Sequence, residues 1–332
     1  MRTRPGLPDQ SKQQRADIEA PPDRDNYSSL LKLASNKAHR LVISLGGGST
    51  PGLSGNLAFL RLLEELDIKK YVTEVWGTSA GAVAGGTWAS GNSALDTLRI
   101  LTSLRTDDVI DIARAKLVWS LLMSSLGRSL PDGIMHGRKL AAAVDSMLQV
   151  KSFEECEIPF RCIAVTDDGL NRRKVFRRGP LLPAIMSSMS LPGILLPRER
   201  LEGEESGFLD GGLVEKTPLI SPLSEHLRKT SKKKLVLIAT HFGADDRRVP
   251  ARGFLSRFIQ SLYAMEDTLW EYQLAEARRT HSENMDLLIL NPHVVDEDHF
   301  NFERAMEHYL HSRAIFKERL QNAELGLTFG QT

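Results

Sequence analysis

VTEVWGTSAGAVAGGTWASG, residues 72–91, is the stretch from which the fold can be read. VTEVW reads as a strand that breaks at Gly77, and the alanines and glycines after Ser79 read as a helix able to lie very close to a sheet. A strand, a sharp turn and a helix in that order lift the turn residue off the sheet end, and Ser79 occupies that turn within G-x-S-x-G. Gly77 and Gly81 remove side chains that would collide there. The helix that follows points its positive end at the serine, where a developing negative charge would be stabilised. The pentapeptide alone is a weak signal, because serine and glycine are common in turns. On this stretch Ser79 is either a nucleophile or a turn former.

Outward from here the pattern recurs. LVISL (41–45) is a short apolar run closed by three glycines, and LSGNLAFLRLLEEL (53–66) then carries apolar residues at helical spacing. FRCIAVTD (160–167), KVFR (174–177), KLVLIAT (234–240) and DLLIL (286–290) read as further strands. Strands apolar on both faces and alternating with helices predict an α/β fold, a mostly parallel central sheet between helix layers. Residues 94–150 read as helical, and two amphipathic segments flank DLLIL near the end of the chain. The apolar stretch 117–126 has two readings, a core helix or a cap that touches lipid. No Gly/Ser linker divides the body, so one domain is expected over residues 41–325, behind a polar, loosely ordered tail at 1–40.

Bulk numbers exclude more than they assign. The 332 residues carry 43 basic and 42 acidic side chains, a formal charge of +1, so no overall field attracts nucleic acid. Cys156 and Cys162 form neither a disulfide framework nor a zinc spacing and read as buried thiols. His, Asp and Glu do not cluster at metal-ligand spacing, so no metal or other cofactor is expected. The first forty residues lack the apolar core of a secretory signal, and LVWSLLM (117–123) is far shorter than the ~20 residues that cross a bilayer. The expectation is a cytoplasmic protein that touches a membrane at most peripherally. Arg172, Arg173, Lys174, Arg177 and Arg178 form a basic spot, either a solvated loop or a contact for an anionic membrane surface.

Two more glycine-framed blocks bear on the serine. GGGSTPG (46–52) opens a helix, as anion-cradling loops do, but it matches neither G-x-G-x-x-G nor a P-loop, which disfavours a nucleotide. The same physics serves an oxyanion hole made by the amides of Gly46, Gly47 and Gly48, where each donor typically matters by ~3 kcal/mol. Both loops follow neighbouring strands, the place where a parallel sheet builds its site. A nucleophilic serine also needs a base. GFLDGGLVEKTP (207–218) offers Asp210 before Gly211 and Gly212, locally no more than a turn pattern.

GGGSTPG, GTSAG and LDGG in this order resemble the three signature blocks of the patatin-like phospholipase family. MSSMSLPGILLP (186–197) and CIAVTDDGLNRRKVFRRG (162–179) are similar to its serine-rich and hairpin segments. The resemblance covers residues 41–220 strongly, and three ordered blocks are far more specific than any one. It implies a patatin-like three-layer sandwich and a lipid acyl hydrolase with a serine–aspartate dyad, a serine esterase of the phospholipase A or lipase type. Ser79 would form an acyl-enzyme, Asp210 would act as general base, the amides of Gly46, Gly47 and Gly48 would hold the oxyanion, and water would release the acyl group. The implied substrates are lipid esters, phospholipids first, then neutral glycerides or simple esters. The chain departs from the family in two places. Ser49, Thr50 and Pro51 stand where a basic residue is customary, and Glu215, Lys216 and Thr217 precede Pro218 where the family has an asparagine.

Two rivals stay open. His241, after KLVLIAT, could complete a Ser–Asp–His triad, although a lone histidine there is more often structural. The chain could also keep the fold with a dead site, as a lipid-binding or effector protein.

Overall fold

The structure, a computed structural model, describes residues 19–112, 133–195, 206–229, 233–243, 254–280, 285–292 and 301–321. Its elements in chain order are α1 (Ser28–Ala34), β1 (His39–Leu45), α2 (Ser49–Glu65), β2 (Val72–Thr78), α3 (Ala80–Ala89), α4 (Ala94–Ser103), α5 (Thr106–Val109), β3 (Gly133–Met135) and α6 (Arg138–Met147). There follow β4 (Phe160–Asp167), β5 (Arg173–Phe176), α7 (Leu181–Ser188), β6 (Gly193–Leu195), β7 (Gly207–Asp210), α8 (Gly212–Glu215), α9 (Ile220–Arg228), β8 (Lys234–Thr240), α10 (Phe254–Thr280), β9 (Met285–Leu290) and α11 (Ala305–Gln321). The stretch 117–126, with its core-helix and cap readings, lies outside the described residues.

The main sheet runs β5-β4-β2-β1-β8-β9, with β7 also paired to β4. The β1–β2, β1–β8, β2–β4 and β8–β9 pairs are parallel, and β5 and β7 run antiparallel to β4. This is the expected mostly parallel sheet. Side chains alternate across it with the period of two that a strand imposes. Leu41, Ile43 and Leu45 of β1 pack with Val236 and Ile238 of β8 in one apolar cluster, and Val42 packs with Leu235, Leu237 and Ala239 in another. Helices α2, α3, α4, α6, α7 and α11 contribute to the first cluster, and α9 and α10 to the second. Helices therefore cover both faces. Burying one Leu or Phe stabilises by about 1.5–3 kcal/mol, and α2 buries Leu57, Phe59, Leu60, Leu62 and Leu63, with Phe59 meeting Phe316 of α11 edge-on at 5.9 Å.

The structure corrects three expectations. Ordered chain begins before residue 41: a 3-10 turn over Arg24–Tyr27 leads into α1, and Tyr27, Leu30 and Leu33 are buried. The Tyr27 hydroxyl donates to the Lys317 carbonyl at 3.2 Å. The tail reading fails for these residues because charged neighbours hide an i, i+3 apolar spacing that gains its partner from α11. Next, GGGSTPG is a loop only as far as Gly48, since α2 already begins at Ser49, and Pro51 sits in the first turn, where a missing N–H breaks no helical hydrogen bond. Finally, β3 lies inside the stretch read as helical and pairs with β6 in a separate two-stranded sheet.

Part of the basic spot is neutralised within the chain. Arg172 pairs with Asp168 at 2.8 Å, and Arg173 reaches the buried Glu215 at 3.4 Å. Cys162 is buried and Cys156 half-buried. Among the described residues no helix is long and apolar enough to cross a membrane.

Candidate active site

Strand pairing is what brings Ser79 and Asp210 together. β2 runs parallel to β4 and ends with Thr78 opposite Ile163, while β7 runs antiparallel along the same strand and ends with Asp210 opposite Ala164. Two strands thus meet end to end over adjacent residues of β4. Ser79 is the next residue after β2, and Asp210 is the last of β7. A serine and a carboxylate far apart in sequence are delivered to one point by two neighbouring rungs of a ladder.

The turn at Ser79 is tight enough to dictate its neighbours. Ser79 has φ 53 and ψ −121, a backbone state that costs an L-residue on the order of 1–3 kcal/mol. Ser188 compensates: its hydroxyl oxygen accepts the Ser79 N–H at 2.9 Å while donating its own proton to the Ile163 carbonyl. A methyl group on Gly81 would lie 2.0 Å from the Leu45 carbonyl oxygen, and one on Gly77 would lie 2.4 Å from the Gly81 carbonyl oxygen. Both glycines are there because α3 starts in contact with strand ends. Gly211 answers to the same geometry, since a Cβ there would meet the Ile163 carbonyl oxygen at 2.1 Å.

Asp210 is only 4% exposed. Its Oδ1 accepts the Gly212 N–H at 2.7 Å, and the carboxyl faces the Ser79 hydroxyl closely enough for that hydroxyl to hold its pKa down by hydrogen bonding. Burial has the larger effect and pushes the carboxyl up to about 7. The Glu266 carboxylate adds to the rise, and the Gly212 N–H, Ser79 and Lys216 oppose it. Asp210 and Glu266 flank Gly212, where a Cβ would lie 3.1 Å from Asp210 Oδ1 and 2.8 Å from Glu266 Oε1.

The glycine loop differs from its sequence reading in a way that matters. The Gly46 N–H donates to the Thr240 carbonyl at 3.1 Å, and the Gly47 N–H donates to the Lys216 carbonyl at 2.9 Å. Neither amide is therefore open to a ligand, and the expectation for these two is overturned. They extend the pairing of β1 with β8 and tie the Asp210 loop to the glycine loop. Gly47 and Gly48 line the cavity beside Ser79, and Gly48 with φ 157 and Ser49 with φ 54 turn the chain sharply into α2. Amides in the first turn of a helix have no intrahelical acceptor.

His241 takes a structural position. Its ring stacks on Trp270 with centroids 3.8 Å apart, its Nδ1 pairs with the Thr217 hydroxyl at 3.0 Å, and it does not line the cavity that holds Ser79 and Asp210.

That cavity has an apolar side and a charged side. Leu53, Val83, Leu101, Leu140, Val144 and Met147 contribute to the first. Among the described residues, its charged lining is Asp210, Lys216 and Glu266, with Tyr263 beside them. Sequence reasoning missed Ser188, Tyr263 and Glu266. Ser188 had a signal in the serine-rich segment before the Asp210 block, whereas Tyr263 and Glu266 lie on a long amphipathic helix with nothing local to mark them.

A half-exposed serine on a strained strand-to-helix turn, facing a buried carboxylate where β2 and β7 end inside a mostly parallel sheet, defines the class as an α/β protein with a serine elbow and an aspartate opposite it. The patatin-like phospholipase family profile matches residues 43–223, more than half of the chain, and the chain belongs to that family. The NTE family protein Rv1063c of Mycobacterium tuberculosis is 27% identical over 193 residues, 57% of this chain and 47% of that protein. A patatin-like phospholipase domain-containing protein of Caenorhabditis elegans is 25% identical over 236 residues, 70% of this chain and 19% of that one. The chain spans about half the length of its mycobacterial relative. Among solved structures, VipD from Legionella pneumophila overlaps 86% of this chain and 66% of its own at 15% identity and a TM-score of 0.39. The type III effector ExoU of Pseudomonas aeruginosa overlaps 86% of this chain and 53% of its own at 15% identity and a TM-score of 0.36. Overlaps this loose carry no argument about chemistry.

Proposed function

We propose that the protein is a lipid acyl hydrolase in which Ser79 is the nucleophile and Asp210 the general base. The observation that carries this reading is the Ser79 hydroxyl facing a buried Asp210 carboxyl whose pKa sits near neutrality, in a cavity with an apolar side. A base works best with a pKa near the working pH, which an ordinary aspartate at about 3.9 does not offer and a desolvated one does.

The steps follow from that geometry. Ser79 Oγ attacks the ester carbonyl carbon as its proton passes to Asp210, and the carbonyl oxygen becomes an oxyanion. The amides of Gly48 and of the first turn of α2 are the donors that the glycine loop has left for it, and the start of α3 adds its positive end. Collapse expels the alcohol, which takes the proton back from Asp210. Water then attacks the acyl-enzyme with Asp210 again as base, and Ser79 is restored. The apolar side of the cavity receives the acyl chain, whose burial contributes about 0.8 kcal/mol per methylene.

A fluorophosphonate probe tests the nucleophile. Intact protein should be labelled at Ser79 under native conditions, located by peptide mass spectrometry, with labelling abolished in Ser79→Ala and after denaturation. Absence of labelling would favour a lipid binder with a dead site. A second measurement separates dyad from triad. His241→Ala should lower stability by about 1–2 kcal/mol through loss of the Trp270 stack and the Thr217 contact, while hydrolysis per folded molecule stays within about threefold of the intact chain, since less than 1 kcal/mol of barrier is at stake. A collapse as deep as that of Ser79→Ala would restore His241 as a third catalytic member.

A further inference from the structure

The two sides of the cavity come from opposite faces of the sheet. Leu53, Val83, Leu101 and Leu140 belong to the helix layer of α2, α3, α4 and α6. Tyr263 and Glu266 belong to α10, whose Trp270, Leu274 and Ala277 pack on the other face, and Lys216 follows α8 there. Ser79 and Asp210 lie between them. An ester whose acyl chain runs along the apolar side, with its carbonyl at Ser79, directs its alcohol portion at Lys216, Tyr263 and Glu266.

Lys216 Nζ lies 3.1 Å from Glu266 Oε2 and 5.0 Å from the Tyr263 ring centroid, and both charged side chains are more than nine-tenths buried. Desolvating two ions costs several kcal/mol each, which their attraction recovers only when further hydrogen bonds complete them. They are not complete here. Glu266 Oε2 is met by the ammonium as an ion pair but by no well-directed hydrogen bond. Apolar side chains of similar size would hold this wall as firmly, so a pair kept inside a largely apolar cavity beside Ser79 invites a ligand that can engage it.

We propose that Lys216 is the subsite for the phosphodiester of a zwitterionic glycerophospholipid, with Glu266 as its counterion in the free protein and as the partner of the head-group amine. The proposal rests on the acyl-hydrolase reading of Ser79 and Asp210, which sets the direction of the ester. A phosphodiester gives the ammonium a charge-assisted partner, and the displaced Glu266 carboxylate and the Tyr263 face both attract a cationic amine. One internal ion pair becomes two with the ligand. A neutral glyceride offers neither charge and leaves the pair closed.

Binding to the Ser79→Ala chain tests this without turnover, by calorimetry with dihexanoylphosphatidylcholine and with dihexanoylglycerol, each below its aggregation limit. Combining Lys216→Met with Glu266→Gln, so that neither member of the pair is left without its partner, should lower the phosphatidylcholine-to-glyceride affinity ratio by about tenfold or more, while Lys216→Arg should hold it within about threefold. An unchanged ratio in the double variant would make the pair structural and overturn the proposal. A second measurement needs no change in the pair: glycerophosphocholine should displace dihexanoylphosphatidylcholine from the Ser79→Ala chain, and failure to compete also overturns it. Failure of the hydrolase reading would show separately, as no hydrolysis by the intact chain or as hydrolysis that survives Ser79→Ala, and it would leave the binding comparison standing.

Discussion

Replacing Ser79 by Ala, or Asp210 by Asn, should lower the hydrolysis of a lipid ester by about a thousandfold or more, and the double variant should be no slower than either single one. The factor corresponds to roughly 4 kcal/mol of barrier. Near-equality of the three variants is the sharper part, because a nucleophile without its base and a base without its nucleophile are equally unable to start the reaction. Asp210→Asn is a fair probe of the base, since an amide oxygen can still accept the Gly212 N–H that the carboxylate accepts at 2.7 Å. The check is initial rates on a panel of phospholipids and glycerides read by mass spectrometry. Asp210→Asn within tenfold of the intact chain would remove Asp210 from the role, and losses that multiply in the double variant would mean that the two residues act independently.

The second large effect is on pH dependence, and it has opposite signs for rate and for stability. With the Asp210 carboxyl pushed up to about 7 by burial, the fraction of chain holding an ionised base falls about tenfold for each pH unit below that value, and kcat/KM should fall with it. Stability runs the other way. Between the unfolded value, near 3.9, and the folded one, near 7, the folded chain holds a proton that the unfolded chain has released. The unfolded state then binds fewer protons than the folded one and unfolding releases a proton, so this carboxyl's contribution to stability declines as pH rises from about 4 to about 7 and stays constant above. Asp210→Asn removes the cost of ionising a buried group. The variant should be more stable than the intact chain at pH 8, by on the order of a few kcal/mol, and close to it at pH 4.5. Denaturant melts at the two pH values measure this, and an Asn variant that is the less stable of the two at pH 8 would contradict the buried, ionised carboxylate.

Much of this was legible in the sequence, for identifiable reasons. A strand that stops at a glycine and restarts as a small-residue helix is local physics, so β2, Ser79 and α3 could be read from 72–91 alone, as could β1 and β8 from their apolar runs. Asp210 was legible only through its place in an ordered set of blocks. What could not be read depends on pairing between distant segments. Gly46 and Gly47 were expected to offer amides to an oxyanion, but β8 continues to Thr240 and the Asp210 loop presents the Lys216 carbonyl, and those two oxygens take the protons. Glu266 and Tyr263 line the same cavity as Ser79 because of where α10 packs, a fact of tertiary placement that no spacing within the helix announces. The buried turn at Arg24–Tyr27 was hidden for a related reason, since its apolar residues are few and find their partners in α11.

The meeting of β2 and β7 on β4 has a mechanical consequence. Thr78, which leads directly into Ser79, and Asp210 occupy consecutive rungs of a single buried strand, opposite Ile163 and Ala164. Ser79 and Asp210 are also tied to the helices that line the cavity, since Ser79 caps α3 and the Gln273 side-chain amide of α10 donates to the Val214 carbonyl of α8 at 2.6 Å. A shift of α10 would therefore be felt at Asp210, both through the segment Gly212–Glu215 and through the Glu266 carboxylate that helps to raise its pKa.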